Sequence, residues 1–369
     1  MERLALGITR QLSIRGWDAE LLFGEGPRSA EVRAWAERNG VPATTHPAVL
    51  SVMEPRRSWA SVRDLYRLIR SRKPDVVNLH YGGAHISLKD VLAVRLARVP
   101  KCIVQVHLPV EWSESGGRKR ALTQLAARLA GSVVVHSAAV QRVMLDAGVP
   151  AARITVVHPG LEVPAAEPDR ADSRDFLCLP AGRFVVGTMA RLVEHKGVAD
   201  LIRAMADVPD AILLVAGDGP ERARLEGLAE EVAPGRVRFL GMLNEDVDRF
   251  FAALDCFVLP SHREGFGLVL IEAALRGVPA IGTRIGGIED AVVDGVTGVL
   301  VPSGDSEALA SAIRALESEP GLRQRLAAAA YLRAMRDFTE EAMGCAEERV
   351  FLGEVYAGTS PTAAGVPAS

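Results

Sequence analysis

Short apolar runs, most of them β-branched, recur along the chain with helical stretches between them. The clearest in the first half are "DVVNLH" (75–80), "CIVQVH" (102–107), "SVVVHS" (132–137) and "ITVVH" (154–158). Then come "FVVGTMA" (184–190), "AILLVAG" (211–217), "VRFLG" (237–241), "CFVLPS" (256–261), "PAIGT" (279–283) and "TGVLVP" (297–302). They are apolar throughout instead of alternating, which predicts strands buried on both faces. Helices between them make the connections parallel crossovers. The expected fold class is therefore α/β, with two Rossmann-like doubly wound domains facing each other across a cleft. Ligands are expected outside the carboxyl ends of the strands. The stretch "PGLEVPAAEPDRADSRD" (159–175) breaks the series and reads as an interdomain linker. This gives an N-terminal domain over 1–161 and a C-terminal domain over 162–340. Residues 341–369 supply a helix returning to the N-terminal domain and a tail, "AGTSPTAAGVPAS" (357–369), of disordered composition.

The start of the chain differs from this pattern. "MERLALGITRQLSIRGWDAELLF" reads as a helix from the first residue, with Leu4, Ile8 and Leu12 on one face. Gly16 ends the helix and a strand follows at 19–23. A doubly wound domain ordinarily starts on a strand.

Composition narrows the function. The chain has 369 residues, 49% hydrophobic and 24% charged, with net charge −3. That length suits two domains, and no basic excess exists for nucleic-acid binding. Cys102, Cys178, Cys256 and Cys345 are scattered with no metal-ligand spacing, which points to a reducing, cytoplasmic compartment. The segment "GGRKRALTQLAARLA" (116–130) is basic and then amphipathic. It leaves a peripheral membrane contact open, although an ordinary surface helix with a solvated charged end accounts for it better.

The candidate chemistry gathers in "REGFGLVLIEAALRG" (263–277). The strand before it ends near His262, a helix begins near Gly267, and Gly277 stops it. "REGFG" is thus a strand-to-helix loop at a carboxyl sheet edge. Its glycines admit close backbone approach, and the helix N-terminus suits phosphate. Glu264 lies in the loop and Glu272 inside the apolar helix. Both could accept sugar hydroxyls. Alternatively Glu272 pairs with Arg276 at i+4 and Glu264 is a solvated acid. "GTMARLVEHKG" (187–197) places Arg191 and Lys196 in a second such loop, where two cations suit a diphosphate. His80 and His107 both end predicted strands of the N-terminal domain. "DVD" (246–248) has the spacing of a divalent-cation ligand pair on diphosphate, but the match is weak and acids in a first helical turn are the ordinary explanation. "AGDGP" (216–220) reads as a tight turn, and neither GxxxxGK[ST] nor GxSxG occurs.

These residues together resemble the retaining GT-B-fold glycosyltransferases of family 4. "EGFGLVLIE" (264–272) has their E-x7-E form, and "ARLVEHKG" (190–197) is similar to their G-R-L-x-x-x-K-G segment, with Ala190 in place of the Gly. "VAGDGP", "VRFLG" and "VPAIGTRIGGIEDAVVDGVTGVLVP" (278–302) follow in the family's order. The resemblance implies that Arg191 and Lys196 grip the diphosphate of a nucleotide-sugar donor. It implies that Glu272 binds ribose hydroxyls, and that Glu264 holds the hexose with the amides of Gly265, Phe266, Gly267 and Leu268. His107 would lie beside the sugar. The family needs no metal and no cofactor. The partners implied are a nucleotide diphosphate sugar and a hydroxyl acceptor. In the family a first strand and a Gly-Gly loop precede the helix that Met1-Glu2-Arg3 opens here. That strand is expected to be missing, with Met1 an internal methionine of a longer protein. Two alternatives follow: an epimerase acting on nucleotide sugars, or a nucleotide-sugar-binding protein made inactive by truncation.

Overall fold

The computed structural model describes residues 2–26, 29–46, 49, 59–83, 85–107, 117–166, 168–243 and 246–354. The tail at 357–369 and residues Asn244 and Glu245 lie outside these. The chain divides into two units, Met1–Gly160 with Thr339–Ser369, and Leu161–Phe338. Unit 1 runs α1 (Glu2–Ile14), β1 (Leu21–Phe23), α2 (Ser29–Arg38), β2 (Ala43–Thr45), α3 (Trp59–Arg72), β3 (Val76–Tyr81), α4 (Leu88–Leu96), β4 (Lys101–Val106), α5 (Gly117–Ala130), β5 (Gly131–Val135), α6 (Ala138–Asp146) and β6 (Ile154–Val156). Unit 2 runs α7 (Arg170–Phe176), β7 (Phe184–Met189), α8 (Val198–Ala204), β8 (Ala211–Ala216), α9 (Arg222–Val232), β9 (Val237–Gly241), α10 (Val247–Ala253), β10 (Cys256–Leu259), α11 (Leu268–Leu275), β11 (Ala280–Thr283), α12 (Gly286–Ala291), β12 (Val299–Val301), α13 (Ser306–Ser318) and α14 (Pro320–Asp337). The last helix, α15 (Glu340–Leu352), belongs to unit 1 and packs on α1.

Every named strand pair is parallel. Unit 2 holds one sheet in the order β12-β11-β10-β7-β8-β9. The chain winds outward from β7 in one direction and from β10 in the other, so the switch in strand order lies between these two neighbours. Unit 1 holds a sheet β3-β4-β5-β6 and a separate pair β1-β2. The uniform apolar character of the strands has its cause here. Val104 and Val133 face one core cluster, while Ile103 and Val134 face another built with Ile8, Leu12 and Val350. In unit 2, Leu214 and Leu213 divide between two clusters in the same way.

One polar residue interrupts the unit 1 core. Gln105 on β4 is fully buried, and its Nε2 donates to both carboxylate oxygens of Glu347 on α15, at 2.9 and 2.8 Å. Burial pushes the Glu347 carboxyl up to about 7, with the Gln105 bond opposing it.

The linker reading of 159–175 needs correction, because α7 begins inside that stretch at Arg170. Asp169 caps it by accepting from the amides of Ala171 and Asp172. Arg170 and Arg174 then fork onto the two oxygens of Asp255, each at 2.6 Å. The composition of the stretch does not show this, because its anchor is far along the chain. Among the described residues no helix is long and apolar enough to cross a membrane.

Candidate active site

In unit 2 the switch between β7 and β10 brings two loops side by side. Residues 190–197 connect β7 to α8 and carry Arg191 and Lys196. Residues 260–267 connect β10 to α11 and carry Glu264. Hydrogen bonds tie the second loop to the first and to the start of α8. The His262 amide donates to the His195 carbonyl at 2.8 Å. His262 Nε2 donates to Asp200 Oδ2 at 2.6 Å. Lys196 Nζ donates to Glu264 Oε2 at 2.7 Å. The side chains of this last pair are only 21% and 15% exposed. Removing either partner therefore leaves a poorly solvated charge. Glu264 also accepts from the Gly265 amide at 3.1 Å and the Ser261 hydroxyl at 3.4 Å. Two residues assigned by resemblance to neighbouring parts of one ligand are thus in direct contact.

Arg191 is exposed, and among the described residues its guanidinium makes no ion pair or side-chain hydrogen bond. Its loop is nonetheless fixed. The amides of Ala190 and Leu192 donate to Ala216 and Asp218 at 3.1 and 2.9 Å. A Cβ on Gly219 would lie 2.3 Å from the Leu192 carbonyl oxygen. "AGDGP", read from sequence as a plain turn, seats the Arg191 loop, and its paired glycines are the signal for that.

Gly267 caps α11 at φ +80°, a left-handed conformation that favours glycine. Leu268, the first residue of the helix, is exposed. The Gly265 backbone passes close against Gly287 of α12, where a Cβ would lie 2.3 Å from the Gly265 carbonyl oxygen. The Phe266 ring is buried and meets Phe338 edge-on at 5.5 Å. Phe266 can therefore offer a ligand its backbone and not its ring.

Glu272 is half-buried on α11. The Arg276 guanidinium engages Asp248 through Nε at 2.9 Å and Nη2 at 2.5 Å, while Nη1 donates to the Glu272 backbone carbonyl at 3.0 Å. Asp248, a member of the "DVD" pair, thus has a protein cation as partner, and Asp246 stands at the N-cap position of α10 without a side-chain capping bond.

Unit 1 presents a different edge. His80, His107, His136 and His158 stand at the carboxyl ends of β3, β4, β5 and β6, one histidine to each strand. His80 and His107 stack at 5.2 Å between centroids, and His107 and His136 at 4.6 Å. His80 Nδ1 lies 3.0 Å from His107 Nε2. Burial first, and then the neighbouring His136, push His80 down to about 3. Burial, then His136 and His80, hold His107 well below its ordinary range. Burial pushes His136 down to about 4 against its bond to the Val157 carbonyl. The whole stack is neutral at pH 7. His136 was not singled out from sequence, nor were Asp200, His262, Gly219 and Gly287. For His136 the signal was a histidine closing each of four consecutive apolar runs.

Residues 169–333 match the family described as Glycosyl transferases group 1, and residues 1–163 match Glycosyltransferase Family 4. A glycogen synthase of Mycobacterium tuberculosis is 33% identical over 303 residues, covering 77% of this chain and 70% of that protein. The chain belongs to the family 4 glycosyltransferases. The lipopolysaccharide core biosynthesis glycosyltransferase LpsE of Rhizobium meliloti is 39% identical over 174 residues, 47% of this chain. That match spans about half of the relative's own length, 51%. Among solved structures, Anabaena HepE in complex with UDP superposes with TM-score 0.82 at 22% identity, covering 96% of both chains. The fold of this glycosyltransferase is accordingly GT-B.

Proposed function

We propose that this glycosyltransferase moves a hexosyl unit from a nucleotide diphosphate sugar to a hydroxyl acceptor with retention of anomeric configuration and without a metal. The observation that carries the reading is the Lys196–Glu264 contact beside the N-terminus of α11. It sets a cation for the diphosphate next to a carboxylate for sugar hydroxyls, on loops already bonded to each other. Charge grows on the leaving diphosphate in the transition state. Arg191, Lys196 and the amides at Gly267 and Leu268 stabilise it without rearrangement. The resemblance assigns neutral His107 to the reacting sugar. Among the described residues no enzymatic nucleophile is evident, so the acceptor hydroxyl attacks on the face the diphosphate leaves. The departing phosphate oxygen takes its proton, and the C–O bond to the acceptor forms as that to phosphate breaks.

The HepE neighbour has been solved with UDP-glucose, so UDP-glucose is the first donor to try. GDP- and ADP-sugars complete the panel, read first by thermal shift, since a ligand of the native state raises its stability. Labelled donor is then supplied with inositol phosphate, an oligoglucan or a lipopolysaccharide core fragment. A product with the donor's anomeric configuration supports the reading. A changed sugar on an intact nucleotide would favour the epimerase, and binding with no reaction would favour a binding protein.

A further inference from the structure

The neighbouring strands β3, β4 and β5 end in three stacked imidazoles, and the contacts between them restrict where protons can sit. The Val157 carbonyl can only accept, so the His136 nitrogen 2.8 Å from it, Nδ1, carries the hydrogen. Its Nε2 is therefore a lone pair, buried beside His107 and without a hydrogen-bond partner among the described residues. Between His80 Nδ1 and His107 Nε2, at 3.0 Å, one nitrogen must donate and the other accept. Neutral imidazole intrinsically prefers its proton on Nε2. Both rings satisfy that preference together when His107 Nε2–H donates to His80 Nδ1. The reverse arrangement puts both in the less favoured form. With Nε2 engaged, Nδ1 is the His107 nitrogen left to face a ligand.

We infer that His80 is a positioning residue: it holds His107 in the Nε2–H tautomer and fixes its ring, so that His107 Nδ1 is offered as a hydrogen-bond acceptor to a substrate hydroxyl. Which nitrogen of a histidine carries the proton is set by the bond its other nitrogen makes. His136 supports the ring from the opposite face by stacking. The consequence for transfer rests on the function proposed above, while the tautomer itself does not.

The test uses the full chain, labelled with ¹⁵N-histidine, at pH 7.5. Two-bond proton–nitrogen correlation spectra distinguish the tautomers, and His107→Gln assigns the signal. Wild type is expected to show His107 as a single Nε2–H form. His80→Phe keeps a stacking ring but removes the nitrogen, and should convert His107 to a mixture. With donor and acceptor, His80→Phe should lower kcat by about 10- to 100-fold, as for loss of an outer partner that orients a functional imidazole. Nucleoside diphosphate affinity, read separately, should stay at the wild-type value. Asn can place a polar atom where Nδ1 was, so His80→Asn should recover most of the kcat. An Nδ1–H or averaged His107 in wild type overturns the inference even if His80→Phe does not fold. So does a His80→Phe protein with unchanged tautomer and kcat. If no donor supports transfer, the proposed function falls, and the His107 spectrum still decides the tautomer.

Discussion

The two units present chemically opposite sheet edges. In unit 2 the segments after β7 and β10 carry ionic groups, Lys196 paired with Glu264 and Asp200 bonded by His262, with Arg191 exposed beside them. In unit 1 the strand ends carry imidazoles that burial and mutual proximity keep neutral. Both edges are built by parallel strands, so the contrast comes from side chains and not from the fold. A charged edge suits the place where charge develops and must be met by fixed counter-charge. A neutral edge suits hydroxyl groups, which need a donor or an acceptor but no ion. The division also sorts pH dependence. Unit 1 holds imidazoles whose protonation state at mildly acidic pH differs between the folded and the unfolded chain.

The largest effect that could break this comparison is acid unfolding of unit 1. His80, His107 and His136 all have folded values depressed below the ordinary 6.5. As pH falls below 6.5 the unfolded chain takes up protons that the fold refuses, so stability present above 6.5 is lost. Each such group costs about 1.4 kcal/mol per pH unit, and three cost at most about 4. Glu347 works in the opposite sense. Its raised carboxyl stabilises the fold at low pH and loses that contribution as pH rises from 4.5 to about 7. It returns about 1.4 kcal/mol per unit on acidification, too little to reverse the sign. Limited proteolysis of the full chain between pH 7.5 and 5 should therefore cut unit 1 first. His80→Phe with His136→Phe should shift that onset to lower pH. Simultaneous loss of both units, or loss of unit 2 first, would mean that the imidazoles are not held neutral.

Next in size is the charge at the unit 2 edge. Arg191→Ala or Lys196→Ala should lower kcat/KM by about 2–4 kcal/mol of transition-state stabilisation. Arg191→Ala should leave the melting temperature unchanged, because the side chain is exposed. Lys196→Ala should lower it, because Glu264 is left half-buried and unpaired. The Lys196→Ala and Glu264→Gln pair should be strongly non-additive in stability, since the two groups touch. Kinetics close to wild type in both alanine variants would remove these cations from the reaction.

A smaller difference separates the two glutamates. Glu272→Gln should weaken binding of the bare nucleoside diphosphate about tenfold, near 1.4 kcal/mol, as for a lost hydrogen bond to a charged group. Glu264→Gln should slow transfer while releasing Lys196, so nucleoside diphosphate binding should hold or tighten. Calorimetric titration of UDP into each variant reads the difference. Equal loss in both would place Glu264 on the nucleotide and not on the hexose.

How far the sequence carried this picture depends on where the determinants of each feature lie. Strands such as β4 and β8 were legible because burial on both faces leaves an unbroken apolar run. β2 (Ala43–Thr45) was not, since a three-residue strand with no bulky apolar side chain leaves no run. α7 was hidden because its anchor, Asp255, lies 85 residues beyond Arg170. In the site, the loop positions of Arg191, Lys196 and Glu264 followed from strand ends and glycines. That Lys196 meets Glu264 depends on the pairing of β7 with β10, which no local pattern encodes. The inward turn of Phe266 likewise depends on Phe338, and the histidine stack on the register of β3, β4 and β5.

The smallest expected effect concerns metal. In the proposed reaction Arg191, Lys196 and the α11 N-terminus supply the positive charge that meets the diphosphate. Asp248, the acid best placed by spacing to ligate a cation with Asp246, is instead bonded at 2.5–2.9 Å by the Arg276 guanidinium. A divalent cation there would have to displace that fork and leave Arg276, whose side chain is 15% exposed, without its carboxylate. Exhaustive treatment with EDTA should thus change kcat/KM by less than about twofold, under 0.5 kcal/mol. Asp248→Asn should act through stability, by weakening the Arg276 bond, and leave the kinetics intact. Loss of transfer in EDTA that Mg²⁺ or Mn²⁺ restores, and that Asp246→Asn or Asp248→Asn reproduces, would place a metal at this edge. The charge there would then come from a bound ion, and the contrast between the edges would no longer be one of side chains alone.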